Sequence, residues 1–500
     1  MHKGEQMNIL LVCPRASRTT KTFPSAPLGA LAIGSYAQRE GHSVKIADFS
    51  ATRKSIDYFL EDFTPDVVGI SSISPLTIPN AVDVSRYFRE KSVPVVWGGT
   101  FATIVPDQIL LEGAADYVVM SEGEITFTQL LKKIEGNEEI GDLPGLVYLD
   151  KNGEPYHTPP RPFGDLQDFP KIDWSLVDIE KYWQHLPSAS RSVYVYKSKG
   201  CPCQCTFCFN PYFHRSQYRQ RKHEDVLEEL QELAAMGADG IFFADECFCV
   251  GSEQLLSFCA KLKELNLNLS WYCQTRLGVS REELQAMYDA GCRLVFFGIE
   301  TGSPRMQKLI KKNIRLEKLE ETVDICREIG IITNLAIILG FPEETEEDLR
   351  QTIDLIFRAS GDITAPNFFV PAPHSETWET CYPTVENPPE VTLENCYNLF
   401  SDETGAFMFS EIPRKELFVV QKFILLSSAL RMPSHGKDPF FILKRYIIDT
   451  LRFAKIYGVA KGISYVFNLA KEVLIMLWYV AMYPKIRKKY GLYMRNFKKG

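Results

Sequence analysis

Four cysteines stand within eight residues of one short segment: Cys201, Cys203, Cys205 and Cys208. Three soft thiolates on one flexible loop can wrap a compact iron–sulfur cube, which normally takes four cysteines. Ligation by Cys201, Cys205 and Cys208 would leave one iron without a protein ligand. Such an open site lets a cluster bind and reduce a substrate rather than only pass electrons. A zinc knuckle with Cys203 as the fourth thiolate is the alternative, although structural zinc usually draws on two separated cysteine pairs.

The remaining cysteines of the 13 in the chain are more scattered. Residues 1–6 are polar and the apolar run 8–12 is too short for a signal peptide, so we expect a cytoplasmic protein. In that compartment cysteines are thiols, metal ligands or redox groups rather than disulfides. We interpret Cys247, Cys249, Cys259, Cys292 and Cys326 as structural thiols.

The elements around the cysteine loop alternate between strand and helix. Strands are predicted at 193–197, 240–244, 269–273, 294–298, 331–339 and 363–370, and helices at 223–236, 254–265, 281–290, 317–329 and 346–359. Six such units predict a partial (β/α)6 barrel of the TIM type, with functional groups at the carboxyl ends of the strands. Those ends carry Asp245 and Glu246, then Arg276, Glu300 and Gly340.

Three motifs of this region carry a family resemblance. The Cys-x3-Cys-x2-Cys spacing, with Phe207 before the last cysteine, resembles the signature of radical S-adenosylmethionine enzymes. Residues 298–303 resemble the Gly-Ile-Glu-Ser-Gly run of that family, with Thr301 replacing serine. Residues 340–345 resemble its Gly-x-Pro-Gly-Glu-Thr, with Glu343 replacing glycine.

The resemblance implies a [4Fe–4S] cluster whose free iron is chelated by the amino and carboxylate groups of S-adenosylmethionine. Carboxylates suit the ammonium and ribose hydroxyls of that cofactor, and an arginine fork suits its carboxylate. Under this interpretation the cofactor-binding residues are Phe207, Asp245, Glu246, Arg276, Glu300 and Gly340. An external electron donor of the flavodoxin or ferredoxin type is implied as well.

A second alternating pattern precedes the barrel. Strands are predicted at 8–13, 44–47, 67–71, 93–97 and 117–120, and helices at 28–40, 81–90, 107–112 and 125–134. The pattern predicts a doubly wound parallel α/β sheet whose ligand lies beyond the carboxyl ends of the strands. The loops there hold Ser72, Gly98, Gly99, Thr100, Glu122, Gly123 and Glu124, which we take as cofactor-binding candidates. Paired glycines can let a backbone approach a bulky ligand, or can simply form a tight strand exit.

This region resembles the cobalamin-binding domain that precedes many radical S-adenosylmethionine enzymes. The likeness is carried by residues 26–31, 40–44, 97–100 and 122–124. The Asp-x-His-x-x-Gly motif of better-known cobalamin domains is missing from it. His42, the one histidine within these predicted sheet elements, precedes a strand and so falls at the wrong end of the sheet. The resemblance therefore implies cobalamin without a histidine lower ligand.

The domain organisation follows from these patterns. We predict a cobalamin-binding domain at 1–140, a proline- and acid-rich linker with a weak hairpin at 141–190, a radical S-adenosylmethionine partial barrel at 191–375 and a helical, basic region at 376–500. The whole chain carries a net charge of −7, which argues against a nucleic-acid partner. Residues 437–500 alone carry 14 basic and 3 acidic residues, a net charge of +11.

The apolar run 473–483 in this basic tail is too short to span a bilayer, which takes about 20 residues. Lengthening it would bring Lys471 and Glu472 near its centre. Two interpretations stay open. The run caps the open side of the barrel, or it is an interfacial helix anchored on anionic lipid by Lys485, Arg487, Lys488 and Lys489. The second adds peripheral membrane association to the cytoplasmic location.

The leading functional hypothesis is an enzyme that methylates an unactivated carbon of a small-molecule or lipid-like substrate. The resemblance implies a 5′-deoxyadenosyl radical that removes a substrate hydrogen, cobalamin as methyl donor, and a second S-adenosylmethionine that restores the methyl group. Oxidative cyclisation or rearrangement without methyl transfer, as in the anaerobic porphyrin ring cyclases, is the alternative within radical chemistry. A non-catalytic cobalamin or iron–sulfur sensor is the alternative outside it.

Overall fold

The structure is a computed structural model that describes residues 6–16, 24–370, 372–385, 390–400, 409–435 and 459–493. The chain divides into two compact units. The first comprises Met1–Trp183 and Pro389–Leu399, and the second comprises Gln184–Pro388 and Phe400–Gly500. The segment predicted as a linker thus groups with the first unit up to Trp183.

The first unit is built on a seven-stranded sheet. Its strands are β1 (Asn8–Cys13), β2 (Ser43–Asp48), β3 (Val67–Ser71), β4 (Val95–Gly98), β5 (Tyr117–Val119), β6 (Leu146–Leu149) and β7 (Pro155–His157). The spatial order is β2-β1-β3-β4-β5-β6-β7, with the first five strands parallel and β6 and β7 antiparallel. The order reverses between β1 and β3, and doubly wound sheets bind ligands at such a switch point.

Six helices connect these strands: α1 (Leu28–Arg39), α2 (Ile56–Leu60), α3 (Ile78–Arg89), α4 (Thr100–Ile104), α5 (Pro106–Leu111) and α6 (Glu124–Glu135). The predicted parallel α/β sheet is confirmed. Helices α2 and α4 were not predicted, because five residues are too few to show a helical period. The weak hairpin of the predicted linker is β6 and β7, which extend the sheet instead of linking two domains.

The second unit contains a curled, half-barrel sheet. Its elements are β8 (Gln184–Leu186), β9 (Ala189–Val195), β10 (Ser198–Lys199), β11 (Arg219–Gln220), β12 (Gly240–Phe243), β13 (Ser270–Arg276), β14 (Cys292–Glu300), β15 (Ile332–Leu339) and β16 (Ile363–Phe368). The order is β16-β15-β14-β13-β12-β9-β8; the first six strands are parallel, and β8 pairs antiparallel at the edge. The partial barrel of six parallel strands is confirmed.

The helices that follow are α7 (Asn210–Phe213), α8 (His223–Ala235), α9 (Ser252–Glu264), α10 (Arg281–Asp289), α11 (Pro304–Leu309), α12 (Leu319–Ile329), α13 (Glu346–Ala359), α14 (Glu376–Cys381) and α15 (Cys396–Leu399), the last of which belongs to the first unit. Helices α8, α9, α10, α12 and α13 alternate with the parallel strands. Aromatic side chains fill the space between sheet and helices. Phe243 contacts Phe248, Phe258 and Trp271, with ring centroids 4.8 to 5.8 Å apart.

The described part of the second unit contains three more helices: α16 (Arg414–His435), α17 (Val459–Met482) and α18 (Pro484–Lys489). Helix α16 covers the edge strand β16, where Gln421 Nε2 donates to Pro366 O at 3.2 Å. Helix α17 packs on α16, with the rings of Phe418 and Tyr479 stacked 5.9 Å apart. The barrel edge is thus capped by α16 and not by the apolar run 473–483.

No helix among the described residues is long and apolar enough to cross a membrane, in agreement with the length of that run. The rest of the predicted basic tail, residues 436–458 and 494–500, lies outside the described residues.

Candidate active site

The cysteine loop begins where β9 ends and turns sharply at Gly200. This glycine has φ +83°, and a Cβ atom placed on it would stand 1.9 Å from Gln217 O. Only glycine can carry the chain through this point, because the clash is with backbone. The pairing of β10 with β11 then closes the loop at its base, with Lys199 opposite Arg219.

The three predicted cluster ligands are held by short-range hydrogen bonds. Cys208 N donates to Cys205 O at 3.1 Å, and Cys201 N donates to Asn210 Oδ1 at 3.2 Å. Asn210 N donates to Cys208 Sγ at 3.4 Å. Within the described residues no group of three or more His, Cys, Asp or Glu side chains is arranged to hold a metal ion. The thiols are separate donors on one loop, the soft ligand set that fits an iron–sulfur cluster.

Two further thiols lie beside Cys201. Its side chain is within hydrogen-bonding reach of Cys203 and Cys247, and these contacts raise the pKa of Cys201. The same hydrogen bonds lower the pKa of Cys203 and of Cys247 to about 6 in each case. Cys247 is also buried and lies 3.8 Å from Thr275 Oγ1. Its position beside a predicted cluster ligand was not expected from the sequence, which suggested only a structural thiol.

A buried ion pair lies near the loop, at the carboxyl end of β14. Lys312 Nζ donates to Glu300 Oε1 at 2.8 Å, and the two side chains are only 9% and 12% exposed. Burial alone would lower the pKa of Lys312, but the carboxylate of Glu300 outweighs burial and raises it. Sequence reasoning found Glu300 and missed Lys312, because this lysine follows a short helix and has no periodic or spacing signal.

Arg276 connects the ion pair with the cysteines. Its Nη1 donates to Cys205 Sγ at 3.7 Å, and its Nη2 donates to Lys312 O. The guanidinium therefore places a positive charge beside a predicted cluster thiolate. The sequence suggested a carboxylate of the cofactor as its partner, whereas both of these contacts are to the protein.

The acids that follow β12 hold the base of the loop. Asp245 is fully buried and accepts hydrogen bonds from Lys197 N at 2.8 Å and from Ser198 Oγ. Burial raises the pKa of Asp245 to about 6. Glu246 accepts from Gly200 N at 2.9 Å and contacts His214 Nε2 at 3.2 Å. Burial would raise the pKa of Glu246, but these hydrogen bonds outweigh it and lower the pKa.

Phe207 joins the loop to the motif at the end of β15. Its ring lies 5.4 Å from that of Phe341, which is itself buried against Phe369. Gly340 has φ +81° and Glu343 has φ +60°, both in the left-handed region. That conformation explains why glycine is the residue of the resembled motif at position 343.

Glu344 gives a prediction about pH and stability. It is fully buried, accepts from Gly340 N at 2.7 Å, and burial raises its pKa from 4.5 to about 8. The native state therefore keeps a proton that the unfolded chain loses, so the free energy of unfolding should fall between pH 4.5 and 8, by about 5 kcal/mol. Urea unfolding of Glu344→Gln across this pH range should not show this fall in the free energy of unfolding. If the free energy of unfolding depends equally on pH in both proteins, the prediction is wrong.

In the first unit the structure brings together the loops that follow β3, β4 and β5. Ser72 N donates to Gly98 O at 2.8 Å, and Phe101 N donates to Ser72 O at 2.9 Å. Ser121 N donates to Thr103 Oγ1 at 2.9 Å, which links the loop after β5 to α4. The predicted candidates of this unit are Ser72, Gly98, Gly99, Thr100, Glu122, Gly123 and Glu124; Thr100 begins α4, Gly123 caps α6 and Glu124 begins it.

The loop after β3 also carries Ile73, which directly follows Ser72 and is 65% exposed. An apolar side chain at this position was not singled out from the sequence. Gly99 has φ +98°, and a Cβ atom there would stand 2.8 Å from Ser72 O. Gly99 therefore allows the loops after β3 and β4 to approach each other closely.

Histidine is placed away from this edge. His42 is buried directly before β2, at the amino end of the strand, as predicted. It is not the only histidine of the sheet, because β7 joins the sheet and carries His157. That residue lies on the outermost strand and contacts Asp107 at 2.6 Å. Polar loops without an imidazole among the candidates fit a cobalamin bound without a histidine lower ligand.

Each of the two units matches a known protein family. Residues 195–356 match the radical SAM superfamily, and residues 17–131 match the B12 binding domain. The first match includes the cysteine loop, Arg276, Glu300 and Lys312. The second includes the loops after β3, β4 and β5.

Individual relatives match over most of the chain. An uncharacterized methyltransferase of Pyrococcus horikoshii is 31% identical over 462 residues, which cover 89% of this chain and 98% of that protein. The anaerobic magnesium-protoporphyrin IX monomethyl ester cyclase of Rubrivivax gelatinosus is 26% identical, over 76% of this chain and 71% of that one.

Among solved structures, the cobalamin-dependent S-adenosylmethionine radical enzyme OxsB, with aqua-cobalamin and S-adenosylmethionine bound, has the same fold. Its TM-score is 0.70 at 16% identity, over 98% of this chain and 79% of that one. Family matches, relatives and the arrangement of the site agree. The chain belongs to the cobalamin-binding branch of the radical S-adenosylmethionine superfamily, whose enzymes use a [4Fe–4S] cluster, S-adenosylmethionine and cobalamin.

Proposed function

We propose that this protein methylates an unactivated carbon of a small-molecule or lipid-like substrate. The observation that carries the proposal is the three-thiol loop beside a buried Glu300–Lys312 ion pair, in a chain similar to a methyltransferase. When bound, S-adenosylmethionine and the cluster supply a carbon-centred radical, and cobalamin supplies the methyl group. The protein binds and orients these groups and excludes water from them.

Cys201, Cys205 and Cys208 hold the cluster in this proposal, and Cys203 and Cys247 are neighbours that do not ligate it. Arg276 is a positioning residue. Its hydrogen bonds to Cys205 Sγ and to Lys312 O hold these two residues on either side of one guanidinium group. Hydrogen bonds and positive charge at a ligand sulfur also tune the reduction potential of a cluster.

The ion pair is the best match for the amino-acid end of S-adenosylmethionine. That end carries one ammonium and one carboxylate. Glu300 supplies a negative charge for the ammonium and Lys312 a positive charge for the carboxylate, with Glu300 Oε1 and Lys312 Nζ 2.8 Å apart. When a zwitterion binds, each member of a buried ion pair can exchange its partner for the oppositely charged group of the zwitterion, so no charge is left unpaired. Glu300 then takes the ammonium, and Lys312 takes the carboxylate that the sequence assigned to Arg276.

Asp245, Glu246, Phe207 and Gly340 support this site. Asp245 orders the start of the loop through Lys197 and Ser198, and Glu246 does so through Gly200. Phe207 packs against Phe341, which directly follows Gly340. An external one-electron donor of the flavodoxin or ferredoxin type completes the cofactor set.

For the cobalamin-binding unit, we assign contacts to the polar loops after β3, β4 and β5 and to the exposed Ile73. The polar candidates are Ser72, Gly98, Gly99, Thr100, Glu122, Gly123 and Glu124. An apolar side chain that is 65% exposed beside these loops suits the flat, apolar face of a corrin ring.

Substitution of Gly99 tests this assignment. In Gly99→Ala the new Cβ would press on Ser72 O and displace the loop after β3. Loss of about 1.4 kcal/mol of binding free energy would weaken cobalamin binding about tenfold. The matched control is Gly41→Ala, because Gly41 has φ +99° but no atom within 4 Å of the added carbon. Absorbance of bound cobalamin is the measurement, and equal retention by the two variants would contradict the assignment.

Isotope tracing tests the function itself. Reconstituted enzyme, a reductant and a metabolite extract are incubated without air with S-adenosylmethionine that carries a deuterated methyl group. We expect 5′-deoxyadenosine together with a product that holds the deuterated methyl group. Deuterium-free product with turnover would instead support oxidative cyclisation, which the similarity to the Rubrivivax gelatinosus cyclase favours as second candidate. Absence of 5′-deoxyadenosine would point to a sensor.

A further inference from the structure

One face of α17 is open to solvent and, apart from Lys471, carries apolar side chains. Phe467, Leu474, Leu477, Trp478 and Met482 are all exposed, from 46% for Leu477 to 71% for Phe467. Their spacing places them on one arc of the helix, because residues three, four and seven positions apart share a side. We call these five residues the apolar stripe. Contiguous exposed apolar side chains mark interaction surfaces in folded proteins.

The stripe is not what holds α17 to its unit. Tyr479 of α17 stacks on Phe418 of α16, and Lys415 Nζ lies 4.2 Å from the ring centroid of Tyr483, which follows α17. A helix normally turns its apolar side inward and its polar side outward. In α17 both sides are apolar, so the outer one requires a partner of its own.

The charges around the stripe indicate the chemistry of that partner. Lys471 is exposed, and Lys485 and Lys488 are exposed just beyond the carboxyl end of α17. Lys489 is already paired with Glu346 and Glu416, so it is not counted here. The sequence from 437 to 500 has a net charge of +11. A second copy of this chain would bring the same positive charge to the contact, whereas an anionic surface would neutralise it.

We propose that the apolar stripe lies in the headgroup region of an anionic lipid bilayer, with α17 parallel to the membrane surface. Apolar side chains then enter the acyl boundary while Lys471, Lys485 and Lys488 reach the lipid phosphates. Trp478 suits that depth, because tryptophan rings concentrate at the membrane interface. The proposal stands on α17 alone and does not depend on the chemistry proposed for the site.

Trp478 gives a specific readout in the full-length protein. The chain has six tryptophans, and Trp97, Trp174, Trp183, Trp271 and Trp378 are all buried. The protein is mixed with vesicles of phosphatidylcholine alone or of phosphatidylcholine with phosphatidylglycerol. We expect co-sedimentation, a blue shift of the fluorescence and quenching by brominated lipid only with the anionic vesicles. High salt should weaken all three signals.

Variants separate the two contributions. Leu474→Glu with Leu477→Glu should abolish vesicle binding while it leaves Trp478 and the melting temperature unchanged. Lys485→Gln and Lys488→Gln should each weaken binding about fivefold. Leu111→Glu is the control, since Leu111 is 57% exposed on α5 of the other unit and should have no effect.

Three results would overturn the proposal. They are no binding to anionic vesicles, binding that the stripe variant leaves intact, and equal binding to both kinds of vesicle. A dimer in solution that Leu474→Glu with Leu477→Glu dissociates would assign the stripe to a second copy and would overturn it as well.

Discussion

The Cys205→Ala variant should purify with its fold intact and without a functional cluster. In the proposed ligand set Cys205 is one of three thiolates that hold the cluster, so alanine would leave two irons of the cube without a protein ligand. Iron content should fall from about four atoms per chain towards zero. Because enzymatic accelerations exceed about 10⁶-fold, formation of 5′-deoxyadenosine should drop to background. The measurements are iron and sulfide analysis together with chromatography of the nucleoside product.

Two neighbouring thiols supply the matched controls. Cys203 and Cys247 both lie within hydrogen-bonding reach of Cys201. If the cluster uses Cys201, Cys205 and Cys208, then Cys203→Ala and Cys247→Ala should keep the iron and the cleavage of S-adenosylmethionine. Loss of the cluster in Cys203→Ala, or its survival in Cys205→Ala, would contradict the ligand set.

Lys312→Met should have the second largest effect. It leaves the carboxylate of Glu300, 12% exposed, without its positive partner, and breaking such a buried pair costs about 3–5 kcal/mol of stability. It also removes the proposed partner of the cofactor carboxylate, and a charged hydrogen bond is worth about 1.5–3 kcal/mol. We expect affinity for S-adenosylmethionine to fall about 10- to 100-fold, measured by calorimetry beside urea unfolding.

A second substitution distinguishes binding from stability. Glu300→Gln combined with Lys312→Met removes both charges, so it should restore most of the stability and none of the affinity. Lys311→Met is the control, because Lys311 is half exposed, pairs with Glu376 on the surface and should change stability by less than about 1 kcal/mol. Recovery of affinity in the double variant would show that the pair is structural only.

Most of the architecture could be predicted because hydrophobic runs of four to nine residues marked each parallel strand. Observed strand boundaries differ from the predicted ones where the local backbone conformation shifts the start of a strand. The fourth strand of the first unit begins at Val95, two residues later than predicted, because Ser92 is left-handed and Pro94 precedes the strand. The hairpin β6–β7 was predicted, but its position in the sheet was not, because its pairing with β5 is a long-range contact that a local pattern does not encode.

The site was predictable to the extent that chemistry was concentrated in short motifs. Cysteine spacing predicts Cys201, Cys205 and Cys208 as cluster ligands, and its place at the carboxyl end of a predicted strand singles out Glu300. Lys312 could not be found in this way, because its importance arises only when the loop after α11 folds back on β14. For the same reason Arg276 was identified while its contacts to Cys205 and Lys312 were not.

The carboxyl-terminal helix shows a different limit. An unbroken apolar run such as 473–483 has no polar side, so its sequence does not indicate which face is buried. The packing of Tyr479 on Phe418 decides it and leaves the apolar stripe outside. The short length of this run, together with Lys471 and Glu472 beside it, argued against a membrane-spanning helix.

Electron paramagnetic resonance shows whether the cluster has one iron free for S-adenosylmethionine, on which the proposed chemistry depends. The protein is reconstituted without air, reduced, and measured before and after addition of S-adenosylmethionine. We expect a [4Fe–4S]⁺ signal whose g values shift when the cofactor is added, and no such signal in Cys205→Ala. A zinc-loaded protein, or a cluster signal that S-adenosylmethionine leaves unchanged, would contradict it.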